Sequence, residues 1–398
     1  MMRRAPMARL MHIFGEIAAD EGTGRMRRRA ATRQVRAAVR RAVLAVALVA
    51  LGATAAAAQT PPALKKIRIA IGTRVVGITY PWLNMPRALG YWSQAGYDVD
   101  ILPVGGSLEA IQQLVGGNVD LVQVNSSVMV LANAKNGIPL RAVMLSNVND
   151  WSVVALADGP VKDMRDFKGK AIGVPALSTG GMPLLLSLLR ANGLAPETDV
   201  QIIAVGFGAP AFQAIRSDKV QGLLFFQSAI TSFENAGGAF RYFHGDDWRQ
   251  QPDFALATLQ KTIDRDPAMV EAIVRGSAMG SVFAFANPDC VRTLQWARWP
   301  DTKPSGVPDE ATAVRWDTNN LKAQMTGMKQ AFELSGGRFW GAYTLAEAGV
   351  LQDFMLDSKQ IDKKLPASSY VIGLPSFFER VNDFDAGPIK LQAERCMP

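Results

Sequence analysis

The chain has 398 residues, 48% hydrophobic and 20% charged, with a formal net charge of +8. That excess sits in residues 1–58, which hold eleven arginines and three acids; the remaining 340 carry 32 basic and 32 acidic residues. A balanced remainder excludes a phosphate-backbone partner such as nucleic acid, and its length is enough for two lobes with their own cores.

The arginine-rich leader runs into RRAVLAVALVALGATAAAAQT: positive charge, a short apolar segment, then small residues ending in Ala56-Ala57-Ala58. That order is a secretory signal with cleavage expected before Gln59. The competing reading is a membrane anchor, but a spanning helix wants about 20 apolar residues and this run ends early in alanines. No cysteine stands at the cleavage point to carry a lipid. Residues 1–25 add nothing that a signal needs, which leaves Met1 and Met26 both open as the start. No later apolar run is expected to span a bilayer, so the exported product is expected to be soluble. Its two cysteines, Cys290 and Cys396, would meet an oxidising compartment, either paired and docking the C-terminus or as buried free thiols.

KKIRIAIG (65–72) predicts a first strand, followed by a helix around Leu83–Trp92. YDVDILPV (97–104) is a second strand, whose alternation puts Asp98 and Asp100 on one face. A helix with Leu108, Ile111 and Val115 on one face follows, stopped by Gly116-Gly117, then a strand, a loop and another helix. PLRAVMLS (139–146) and WSVVALA (151–157) add strands. The pattern then restarts with GKAIGVP, a helix over 182–192, DVQIIAVG, a helix over 209–217 and VQGLLFF. GGSLEAIQQLVGGNVDLVQV and GFGAPAFQAIRSDKVQGLLF share one plan of glycine loop, short helix, turn and strand. The alternation predicts an α/β fold of two similar lobes, mostly parallel sheets with helices on both faces. After FRYF (240–243) and DFALATL (253–259), helices dominate: one from Asp266 to about Ala286, one after Pro288 with Asp289 as its cap, then 309–334 and 344–357.

Catalytic motifs are sparse. One histidine, His244, follows the leader, and a polar surface or crossover role suits it better than a general base. No Cys/His cluster has metal spacing, Gly-x-Ser-x-Gly is missing, and Asp246-Asp247 beside Gly245 reads as a turn. The loop STGG (178–181) lacks the Lys-Ser/Thr pair of a phosphate loop, since Met182-Pro183 follows. No cofactor is expected, and the chain is equipped to bind rather than to react.

Ligands of open α/β sheets lie beyond the carboxyl ends of strands. That rule selects Thr73, Arg74 and Tyr80 after the first strand; Gly106 and Ser107 after the second; Asn125, Ser126 and Ser127 after the third. In the second half it selects Leu177, Ser178, Thr179 and Gly180, then Gly206–Gly208, then Phe226 and Gln227, with Trp151 at the lobe junction. Hydroxyl, amide and glycine loops at helix starts suit a small polar or anionic solute. The plainer readings are that Ser107 and Ser127 only cap helices, that Arg74 is an exposed charge, and that Trp151 covers the junction.

The order of these elements resembles the periplasmic solute-binding proteins of ABC importers of the nitrate/sulfonate/taurine type, with which thiamine-pyrimidine proteins share a fold. The likeness rests on ALGYWSQAGYDVDILPVGG, on the helix ending GGNVDLVQV, and on GKAIGVP leading to STGG, and covers about residues 66–290. It implies a type II periplasmic-binding-protein fold, two Rossmann-like lobes joined by two crossovers with a helical C-terminal segment. The divisions implied are 1–58 leader, 59–155 first lobe, 156–247 second lobe, and 248–398 return strand and helices of the first. It implies solute contact by Thr73, Asn125–Ser127 and Ser178–Gly180, closure of the lobes, a monomer in the periplasm, and an inner-membrane ABC permease with its ATPase as partner. Many such proteins carry an acid and a proline where this chain has Gln227-Ser228, which weakens an amine ligand such as taurine. Nitrate, sulfonates, aromatic acids and pyrimidines stay open as solutes; Tyr80, Trp82, Trp151, Phe207 and Phe226 favour an organic one. The alternatives are a periplasmic sensor component and, with less support, a pyrimidine-precursor enzyme, whose histidine and cysteine-rich motif are missing.

Overall fold

A computed structural model describes residues 63–245 and 251–397. The leader (1–58) and Asp246-Asp247 lie outside the described residues. Strands β1 (Lys65–Ile71), β2 (Tyr97–Pro103), β3 (Leu121–Asn125) and β4 (Leu140–Val148) are connected through helices α1 (Pro81–Ala88), α2 (Tyr91–Gln94), α3 (Ser107–Val115) and α4 (Ser126–Asn136). The second run is β5 (Trp151–Leu156), β6 (Lys170–Val174), α5 (Met182–Ala191), β7 (Val200–Ala204), α6 (Ala209–Arg216), β8 (Gly222–Phe226), α7 (Gln227–Asn235) and β9 (Phe240–Phe243). After β10 (Pro252–Leu259) come α8 (Gln260–Arg265), α9 (Pro267–Ala286), α10 (Pro288–Arg298), α11 (Glu310–Leu334), α12 (Leu345–Asp357), α13 (Phe377–Asn382) and α14 (Ala386–Arg395).

Two five-stranded sheets result, ordered β2-β1-β3-β10-β4 and β7-β6-β8-β5-β9. In each, the strands linked by helical crossovers run parallel, as β1 does with β2 and β3 and β6 does with β7 and β8. The remaining pairings are antiparallel: β10 with β3 and β4, β5 with β8 and β9. The strand that reaches each sheet from the other, β10 or β5, enters against the parallel set. The sheets are therefore mixed, and the chain passes between them twice, from β4 to β5 and from β9 to β10. This is the two-lobed α/β fold expected from the resemblance.

Local expectations shift in five places. β5 belongs to the second sheet, so the first passage falls at Asn149-Asp150 and not after residue 155. The helix expected over 83–92 is two helices, parted at Gly90, whose φ of 74° is left-handed. On α3 the buried face is Ser107, Ala110, Ile111 and Leu114, while Leu108 and Val115 are exposed, because Ser107 is drawn inward to Asn125. The cap of α10 is Asn287, which accepts from the Cys290 N–H, and not Asp289. Finally, α9 is by length and composition apolar enough to cross a membrane, although no such run was expected; here it is a core helix, lined by buried Met269, Val270, Ile273, Val274 and Phe283.

Candidate functional site

The loops that follow the strands of the two lobes meet face to face. The Leu108 N–H donates to the Ser178 carbonyl at 3.3 Å, across the lobes. Gly106 lies so close to Ser178 that a Cβ on it would stand 2.4 Å from the Ser178 carbonyl oxygen. A Cβ on Gly180 would stand 1.6 Å from Asn125 Oδ1, and Ser127 Oγ donates to the Gly180 carbonyl at 3.5 Å. Of the sequence candidates, Gly106, Asn125, Ser127, Ser178 and Gly180 thus form a lobe-to-lobe contact.

Buried polar groups fix the first lobe's side of this contact. Ser107 Oγ donates to Asn125 Oδ1 at 3.1 Å and accepts from the Asn125 N–H at 3.0 Å, so it cross-links two loops instead of capping its own helix. Asn125 Nδ2 donates to Asp253 Oδ2 at 2.5 Å, and Ser126 Oγ donates to the Asp253 carbonyl at 2.6 Å. Burial, and then the nearby Asp150 charge, hold the Asp253 carboxyl well above the usual carboxylate range, against the opposing hydrogen bonds from Asn125 and the Ser126 N–H. The indole nitrogen of Trp151 also leans towards this carboxyl but falls outside strict hydrogen-bond geometry.

Beside the contact lies a small cavity between the lobes, about 10 Å³, room for one water. The first lobe lines it with Thr79, Tyr80, Trp82, Gln123, Ser146 and Phe254, the second with Phe226 and Ser228, and α11 with Gln324. No lining residue carries a charge. Its wall continues into an aromatic triad: Trp151 stacks on Phe254 at 6.4 Å and 18°, and meets Phe226 edge-on at 5.4 Å. Desolvation, and then the charge of Asp150, push the Tyr80 hydroxyl up, while a hydrogen bond with Thr73 opposes them. Tyr80 therefore stays a neutral donor.

A larger, open hollow of about 410 Å³ is lined by Asn149, Asp150, Gln227 and the α11 residues Asn319, Lys322, Ala323, Thr326, Gly327 and Gln330. Of the remaining candidates, Thr73 reaches the small cavity only through its hydrogen bond with Tyr80. Arg74 is exposed and pairs with Glu109 at 3.9 Å; Leu177 is exposed; Thr73 and Thr179 are buried. Cys290 and Cys396, left open as paired or free, are joined by a disulfide.

Sequence reasoning missed Gln123, Ser146, Asp253, Phe254 and Gln324. A buried amide within the apolar strand LVQVN is a detectable signal for Gln123. Nothing local marks Gln324, because its place depends on how a helix 70 residues beyond the second sheet packs back over it.

The model of the family described as "NMT1/THI5 like" matches residues 84–290. The riboflavin-binding protein RibY of Chloroflexus aurantiacus is 24% identical over 239 residues, 59% of this chain and 67% of that protein. A formylaminopyrimidine-binding protein of Halalkalibacterium halodurans is 24% identical over 206 residues, 50% of this chain and 61% of that protein. Among solved structures, a protein of Bordetella bronchiseptica RB50 superposes with a TM-score of 0.62 at 20% identity, over 80% of this chain and 97% of that one. The periplasmic aliphatic sulphonate-binding protein SsuA of Escherichia coli gives 0.54 at 14%, over 77% and 92%. The desulfurization enzyme DSZB gives 0.51 at 12%, over 79% and 98%, so the fold alone does not separate binding from catalysis. The matched segment spans more than half of the chain and runs from within α1 to the start of α10, taking in every strand but β1, and on that ground the chain belongs to the NMT1/THI5-like family.

Proposed function

We propose that this protein is a periplasmic receptor of an ABC importer that captures an uncharged planar heteroaromatic solute between its lobes and hands it to an inner-membrane permease. One observation carries the choice of solute: the cavity between the lobes is walled by aromatic rings, amides and hydroxyls and by no cation. Asp253 is buried behind Asn125, and neither it nor any lining group supplies a counter-charge for an anion in that cavity. Nitrate or a sulfonate in such a site lacks a counter-charge and pays the desolvation cost of an ion. A flat ring stacks on the aromatic walls and offers its edge atoms to Gln123, Ser146, Ser228 and Gln324. Relatives named for riboflavin and formylaminopyrimidine agree with that chemistry. The cavity as it stands holds no more than a water, so a ring is admitted only when the walls around it move apart, and the bound solute sets how far the lobes close. The disulfide agrees with export to an oxidising compartment. Both cysteines are in the disulfide, so neither offers a free thiol.

A thermal-shift comparison tests the reading. Lumichrome, a neutral planar ring, is expected to raise Tm, since occupancy at a hundredfold excess over Kd stabilises by about 2.7 kcal/mol. Hexanesulfonate and nitrate are expected to leave it unmoved. Stabilisation by the anions and not by the ring would overturn the choice of solute, and conversion of the ring to product would overturn the receptor role.

A further inference from the structure

We propose a second binding site, away from the cleft between the lobes, that takes a flat aromatic carboxylate. It is an open hollow of about 390 Å³ in the helical remainder. The end of α9, the end of α11 with the turn after it, and the segment from α13 to α14 enclose it. None of its residues lines the cavity between the lobes or the hollow beside Asn149. Its volume lies within the range of small-molecule sites.

Rings make most of the wall. Phe332 stacks on Trp340 at 4.3 Å and 21°, and Phe285 lies against the same indole at 4.8 Å and 39°. Phe339 and Phe384 complete it, and all five rings stay half-buried. Part-exposed rings gathered round one hollow form an apolar surface of the kind that binds. The wall is also set before a ligand arrives. The Trp340 N–H donates to Asn382 Oδ1 at 2.9 Å, and Asn382 Nδ2 donates back to the Trp340 carbonyl at 3.1 Å. Ser335 Oγ donates to the Phe332 carbonyl at 2.8 Å, and the Leu145 N–H of β4 donates to the Gly341 carbonyl at 2.8 Å, so the turn is pinned at both ends. A preformed wall lowers the ordering cost of binding.

Charge selects the kind of ring compound. The lining includes Arg338 and Lys390, both exposed, and no acid. Arg338 Cζ lies 4.7 Å from the centroid of the Phe339 ring, which keeps the guanidinium beside the apolar wall. Of the acids that flank the hollow in sequence, Glu333 pairs with Lys329 at 3.7 Å, and Asp385 accepts from the Gly387 N–H at 2.8 Å. Asn382 spends its amide on the backbone of Trp340 and Phe378. A carboxylate on an aromatic body matches both halves of the site: its oxygens suit the guanidinium fork, and its ring stacks on the wall. An inorganic anion finds only exposed cations, which water and salt screen. The family match ends at residue 290, so the stretch from Phe332 to Lys390 builds the hollow largely outside it.

The inference stands apart from the choice of solute for the cleft. Titration calorimetry tests it with 2-naphthoate, its neutral isostere 2-naphthalenemethanol and the non-aromatic hexanoate. Wild-type protein is compared with Arg338→Gln/Lys390→Gln, both of whose positions are exposed. 2-Naphthoate is expected to bind wild-type protein with a Kd below about 1 mM. The alcohol and hexanoate are each expected to bind more weakly by about fivefold or more. The variant should lose about fivefold or more in affinity for 2-naphthoate and keep its affinity for the alcohol. Saturating lumichrome should leave the Kd of 2-naphthoate unchanged. Absence of 2-naphthoate binding, or equal binding of the alcohol or of hexanoate, overturns the aromatic-carboxylate site. So does a variant that binds 2-naphthoate as wild type does. Displacement of 2-naphthoate by lumichrome would put the anion in the cleft and overturn the site as well.

Discussion

At the scale of single residues, the contact between the lobes depends on side chains that are missing. Gly180 and Gly106 meet the opposite lobe at distances that no side chain tolerates, and the partner of Gly180 cannot retreat. Asn125 is held by Ser107 and Asp253 at once, and all three are buried. Gly180→Ala is therefore expected to keep the fold, because the added methyl sits at the lobe contact and not in a core, but to hold the lobes apart. Solute affinity should fall at least tenfold in calorimetry, with a larger radius of gyration by X-ray scattering and Tm of the unliganded protein nearly unchanged. An unchanged affinity would mean that this contact does not form on binding. These loops were expected from the sequence to contact a solute; the structure places Ser178 and Gly180 against the other lobe.

At the scale of elements, α9 explains how a nearly all-apolar helix sits inside a protein whose sheets take most of the attention. It packs against α1, α13 and α14 and buries residues on most of its circumference. Gly276 receives Trp92, whose indole N–H donates to the Ile273 carbonyl at 3.0 Å, and a Cβ at Gly276 would stand 2.3 Å from that nitrogen. Gly276→Ala gains about 1 kcal/mol of helix propensity. It loses about 1–3 kcal/mol to overpacking and about 1–3 kcal/mol to a stranded buried donor. The losses win, and denaturant unfolding should show about 1–5 kcal/mol less stability; a neutral or stabilising result would show that Trp92 can move aside. Helix α11 is the opposite case. Its bounds, from an Asp309 cap to Leu334, match the amphipathic run over 309–334 almost residue for residue, yet its position over both lobes has no local signal.

For the molecule as a whole, two mixed sheets share a helical remainder that belongs to neither alone, and the disulfide ties that remainder down. Cys290 on α10 and Cys396 after α14 close a loop 106 residues apart in sequence, with Cα atoms 5.3 Å apart. A disulfide is typically worth about 2–4 kcal/mol, chiefly through the unfolded chain, and a loop this long lies at or above the top of that range. The Cys290→Ser/Cys396→Ser variant should lose that much in denaturant unfolding and keep its solute affinity, since neither residue lines a cavity between the lobes; a loss of affinity without a loss of stability would contradict this. Fold class, strand order along the chain and the two-lobed plan were legible in advance, because hydrophobic periodicity, glycine stops and proline starts are local properties that each segment carries by itself. Tertiary structure alone decided that β5 joins the second sheet, that STGG rests on Asn125 and Gly106, that Asp253 is buried beside them, and that α11 roofs the site. Those outcomes depend on contacts between segments more than 50 residues apart, where the energy lies in which surfaces meet, and no window of sequence contains both surfaces.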